Sequence, residues 1–159
     1  MSGMLPDAVD MLSPSEKVVY VEILTYLANS DGALVREEMA ALEAFMGRVL
    51  LKPDVREENR KKLRNSGSLE ELLEKATIDT LKVALRDSVL LAAADGEYHP
   101  AEVHVLEQIA DAAGVGDDGL DKLYDWVTEG WYWLAKGRDI VTMRIAGDEL
   151  LLDEDVVDS

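Results

Sequence analysis

A chain of 159 residues with 48% hydrophobic content is long enough to enclose a core and too apolar to be disordered throughout. It has no cysteine, which excludes a disulfide framework and thiolate-ligated zinc. A net charge of −17 repels nucleic acid and anionic lipid, and no run of about 18 apolar residues exists to cross a membrane, so any membrane association is expected to run through a partner.

The first helical start signal is Ser13-Pro14-Ser15-Glu16, a capping box with proline at the first helical position. Upstream, Pro6, Asp7 and Asp10 interrupt the early apolar stretch, which argues against a signal peptide and makes the cytoplasm the expected compartment. Val19, Ile23, Tyr26 and Leu27 continue at helical spacing until Asn29-Ser30-Asp31-Gly32, where glycine allows the chain to reverse. A second helix is predicted from about 35 to 51, with Met39, Leu42, Phe45, Met46 and Val49 on one face. Pro53 opens a basic helix closed by Asn65-Ser66-Gly67; seven of the 16 bases lie between Arg48 and Arg64, either as a solvated face or as a surface for an acidic partner. Ser68 with Glu71 reads as another capping box, leading a short helix through Lys75. The next helix spans roughly 79–94, and Pro100 begins one that reaches Ala113. Helices over 118–127 and 131–146 follow, divided by Gly130 and interrupted by Gly137. No segment alternates long enough for a strand. The fold class is therefore all-α, about seven helices, forming one domain over 1–146 with an acidic tail over 147–159. That tail holds six acids, and either frays into solvent or docks Leu150, Leu151 and Leu152.

Shifting the chain by 64 residues superimposes YLANSDGALVREEMAALEAF on LLAAADGEYHPAEVHVLEQI. Identities fall at Leu27/Leu91, Ala28/Ala92, Asp31/Asp95, Gly32/Gly96, Glu38/Glu102, Leu42/Leu106 and Glu43/Glu107. Two copies of one helix–turn–helix unit, about 14–50 and 79–113, account for this, with a pseudo-twofold axis expected between them. In each copy the Asp ends one helix and the Glu falls in the first turn of the next, where the helix dipole favours negative charge. Asp31 with Glu38, and Asp95 with Glu102, are therefore expected near one corner of their copy, where a cation site is one reading. Capping alone, or a generic acidic docking surface, would also explain them. An EF-hand fails, because leucines occupy the first-ligand positions, Leu27 and Leu91. With oxygen donors and no thiol, a bound divalent cation would be calcium or magnesium ahead of zinc. His99 precedes Pro100 where a cap would sit, and could share a zinc ion with Asp95. His104 lies two residues beyond Glu102, on a different helix face.

The pattern L-x-x-A-D-G-x-x-x-x-x-E-x-x-x-L, best kept from Ala94-Asp95-Gly96 through Glu102 to Leu106, resembles the tellurite-resistance TerB-like family. The resemblance covers about residues 15–130. It implies an all-helical fold of two related halves, with Asp31, Glu38, Asp95 and Glu102 at the family's acidic positions and divalent cations as their ligand. It also implies an adaptor role in a stress-response setting. Ser30 in place of alanine, and the aromatic-rich C-terminal segment, depart from the family pattern.

That segment holds Tyr124, Trp126, Trp131, Tyr132 and Trp133, five of the nine aromatics. They either close the end of the bundle or form a protein-binding surface led by Trp126, Trp131 and Trp133. No cysteine nucleophile, G-x-S-x-G elbow, phosphate loop or dinucleotide-binding glycine pattern is present, so a non-enzymatic binding protein with a protein partner is expected. The alternatives from other classes are an acidic decoy mimicking nucleic acid, supported by the −17 charge, and a purely structural helical scaffold.

Overall fold

The computed structural model describes residues 7–30, 32, 36–49, 53–54, 57, 61 and 67–153, except for the side chain of Asp95. Among these the protein is all-helical and contains no strand. Seven α-helices have both ends among the described residues: α1 (Pro14–Ala28), α2 (Arg36–Arg48), α3 (Leu69–Lys75), α4 (Ile78–Ala92), α5 (Pro100–Ala112), α6 (Gly116–Ile140) and α7 (Asp148–Leu152). Short 3-10 turns cover Ala8–Met11 and Ala93–Asp95. The chain divides into two compact units, Met1–Leu120 and Asp121–Ser159.

Local chemistry sets the helix starts. Ser13 accepts from the Glu16 amide while the Glu16 side chain accepts from the Ser13 amide, as the capping box requires. Thr77 caps α4 by accepting from the Thr80 amide, and its own hydroxyl donates to Glu16 at 2.6 Å. The helices α1 and α4 thus have their N-termini stitched together. Ser68 precedes α3 but makes no side-chain capping bond, so the predicted Ser68–Glu71 capping box does not form.

The first unit is built around α1 and α4, which pack on each other along their length. Helix α2 lies on α1, α5 on α4, and α3 on α1. Tyr20, Ile23, Leu24, Leu27, Leu85 and Leu91 are fully buried. Removing any of the leucines would leave a cavity costing about 2–5 kcal/mol. One polar network runs through this core. Tyr20 donates its hydroxyl to Asp87 Oδ2 at 2.5 Å, and Asp87 is buried. Arg86 donates through Nε to Asp87 Oδ1 at 2.8 Å and grips Asp7 in a two-pronged contact at 2.8 and 2.7 Å. Burial and the neighbouring Asp87 carboxylate push the Tyr20 phenol well above its ordinary range, so it remains a donor.

The helix bounds are the same in the two halves after a 64-residue shift: Pro14–Ala28 answers Ile78–Ala92, and Arg36–Arg48 answers Pro100–Ala112. Both turns use glycine in the left-handed region, Gly32 at φ 77° and Gly96 at φ 87°. A Cβ at either would meet nothing within 4 Å, so only backbone strain selects glycine there.

Two expectations need correction, the break at Gly130 and the helix end at 146. The 118–127 and 131–146 segments form one helix, α6, that runs through Gly130 and Gly137 and ends at Ile140. Glycine weakens a helix interior by about 1 kcal/mol but favours a helix end when it adopts positive φ, as Gly114 does after α5. Residues 141–146 are turn and loop. The start of the acidic tail is helical and forms α7, where Asp148 is buried, Leu151 and Leu152 are half-buried and Leu150 is 63% exposed. The anchor is Arg138, which donates to Asp148 at 2.9 and 2.6 Å and holds its carboxyl down at about 2. Arg144 adds contacts to Asp139 and Asp153 in the same second unit. Of the basic helix predicted from Pro53, the described residues Pro53, Asp54, Glu57 and Lys61 are helical and the others lie outside the described residues; Arg48, earlier in the basic stretch at the end of α2, donates to Asp10 at 2.9 Å.

Two outcomes follow. The Arg86 guanidinium, helped by the Val9 amide, holds the Asp7 carboxyl down at about 2 from an ordinary 3.8. A depressed carboxylate pKa contributes stability above the unfolded value, and that contribution fades as pH falls from about 4 to about 2. Asp7→Asn should lower the urea midpoint at pH 7 by an amount worth about 1 kcal/mol after allowing for solvent screening, and the gap from wild type should close between pH 4 and 2. Gly96→Ala should cost about 1–2 kcal/mol in the same assay at any pH, since the added methyl meets space and only the left-handed backbone objects.

Candidate metal centre

The apolar stripes of α2 and α5 each begin with a carboxylate. In α2, Glu38, Leu42, Met46 and Val49 follow at intervals of one turn, and all four are buried. In α5 the sequence is Glu102, Leu106, Ile109 or Ala110, and Ala113, again all buried. Each glutamate therefore points where a core leucine would, and each is 1% exposed. An ionised carboxylate in such a place costs several kcal/mol unless other groups compensate its charge.

Tertiary packing brings the two stripes together. Helix α2 lies against the Ala93–Asp95 turn that leads into α5, so Glu38 from the first helix pair reaches the start of the second. One ligand atom each from Glu38, His99 and Glu102 lies within 4.8 Å of the others. His99 Nε2 is 3.9 Å from Glu102 Oε1 across one helical turn. His99 is half-buried, which leaves this group one face toward solvent and two faces enclosed. Two carboxylate oxygens and an imidazole nitrogen, supplied from both helix pairs, make a donor set of mixed character.

The sequence-predicted residues separate accordingly. Glu38 and Glu102 come together. Asp31 lies outside the described residues. Asp95 ends the 3-10 turn just upstream, and its side chain also lies outside them. His99 does occupy the N-cap position of α5, but its side chain makes no capping hydrogen bond; it turns toward the glutamates instead. The readable signal was its spacing, three residues before Glu102, which sets both on one face at the helix start. His104 is exposed on α5, away from the stripe, as its spacing predicted. A surface docking role does not suit Glu38 and Glu102, because neither offers area to a partner.

A separate pocket of about 260 Å³ in the first unit is lined by Met11, Leu12, Lys82, Val83 and neighbours, and shares no residue with this group. In the second unit Trp126 is 42% exposed and Trp133 74% exposed, while Trp131 is half-buried. No described helix is long and apolar enough to cross a membrane.

No protein-family model matches the chain, and no solved structure matches it. Two curated proteins are similar over part of their length: the co-chaperone protein DjlA of Vibrio vulnificus strain YJ016, 29% identical over 110 residues, and that of strain CMCP6, 28% identical over 110 residues. Each alignment covers 63% of this chain, and the chain spans 38% of the length of those relatives.

Proposed function

We propose that the protein is a non-enzymatic, TerB-like binding module that holds one divalent cation between its two helix pairs and serves as an adaptor for a protein partner. The observation that carries this reading is the convergence of Glu38, His99 and Glu102 within 4.8 Å, two of them enclosed in the core. A cation there would neutralise two buried negative charges and tie α2 to the start of α5, so binding would be coupled to the stability of the fold. The similarity to a co-chaperone supports a protein partner, and the repeated Asp-Gly-x5-Glu pattern supports the TerB-like assignment and its stress-response setting.

The preference for calcium or magnesium rested on oxygen donors alone. An imidazole nitrogen in the set moves it toward zinc or manganese, because calcium and magnesium favour all-oxygen shells while nitrogen ligands suit the first-row ions. Glu38, His99 and Glu102 supply three ligands, and the exposed side of His99 leaves room for water to complete the shell.

Calorimetric titration of chelator-treated protein with zinc, manganese, calcium and magnesium tests the reading. Saturable binding of about one zinc or manganese ion per chain is expected, weakened at least tenfold by Glu38→Gln, His99→Ala or Glu102→Gln and left intact by His104→Ala. Absence of heat with every ion, or affinities equal in all four variants, would remove the metal from the proposal.

A further inference from the structure

The outer face of α6 carries a pattern that the metal site does not use. Trp126, Gly130, Trp133, Gly137 and Ile140 recur at intervals of four and three residues, the spacing of a coiled-coil seam. This face points away from the buried side of the helix, where Val127 and Ala135 lie. Trp133 is 74% and Ile140 81% exposed, and a Cβ on Gly130 or Gly137 would meet nothing within 4 Å. Two glycines inside a 25-residue helix weaken it and fill no internal need of the second unit. Glycine in such a place suits close approach by another large side chain.

We propose that α6 pairs with α6 of a second copy, antiparallel, through this face. In one register every bulky residue meets a small or apolar one. Trp126 covers Gly137 of the other copy, Trp133 covers its Gly130, and Ile140 meets its Leu123; the twofold axis repeats each contact. The same register sets Glu129 against Lys136 of the other copy, also twice, at the flanking positions where charges select orientation. A parallel pairing would stack Trp on Trp and Gly on Gly, and would lose the Glu129–Lys136 complement. The pattern is therefore self-complementary in the antiparallel sense only, which identifies a second copy of this chain as the occupant.

Sedimentation velocity on the full chain across a range of about 1–100 µM tests the pairing. A concentration-dependent monomer–dimer equilibrium is expected for the wild type. Gly130→Gln with Gly137→Gln should shift it to monomer while the helical circular dichroism holds or rises, because glutamine is the better helix former. Lys136→Glu should weaken the dimer at least tenfold, and Glu129→Lys added to it should restore the wild-type equilibrium. A wild type that stays monomeric across the range would overturn the proposal. So would a dimer that survives the double glutamine change, or one that the charge swap fails to rescue.

Discussion

The first unit depends on the packing of α1 against α4. These two helices carry Tyr20, Ile23, Leu24, Leu27, Leu85 and Leu91, all fully buried, and α2, α3 and α5 are laid onto them. Its ends and middle are locked by directional contacts. Thr77 and Glu16 join the two N-termini, and the Tyr20–Asp87–Arg86–Asp7 network crosses from α1 through α4 to the segment before α1. Hydrophobic burial supplies most of the driving force but tolerates sliding. The buried hydrogen bonds do not, because any shift would leave Asp87 without donors in the interior.

Once α1 and α4 are set, the positions of Glu38 and Glu102 follow. Each lies one turn before the first buried leucine of its helix, so the surface that docks α2 and α5 onto the central pair also carries the carboxylates inward. Two acids on core-facing stripes need their charge compensated, most of all where the two approach each other. A cation shared with His99 would tie the helix pairs together, which is why stability and ligand binding would be coupled here. The acidic composition disfavours contact with nucleic acid or anionic lipid.

The second unit is organised differently. Arginine–carboxylate pairs, Arg138 with buried Asp148 and Arg144 with Asp139 and Asp153, hold α7 beside the end of α6, and the outer face of α6 leaves Trp126 and Trp133 exposed. Apolar exposure of that kind on a rigid helix marks a surface for association, and the alternation of tryptophan with glycine gives that surface a shape.

Sequence periodicity and punctuation alone determined that the protein is helical, and placed most helix ends within a few residues, because capping boxes, prolines and positive-φ glycines act over one turn. They also put Glu38 and Glu102 at equivalent points of the two halves. Local rules could not decide whether Gly130 breaks a helix, since glycine permits either outcome and the neighbouring turns decide. They could not show that Asp148 would be buried, since that needs Arg138 ten residues away. Nor could they bring His99 to Glu38: the chain separation is 61 residues, and only the docking of α2 against the turn before α5 closes it. Spacing along one helix was legible from the residues; the meeting of two helices was settled by which apolar faces pack together.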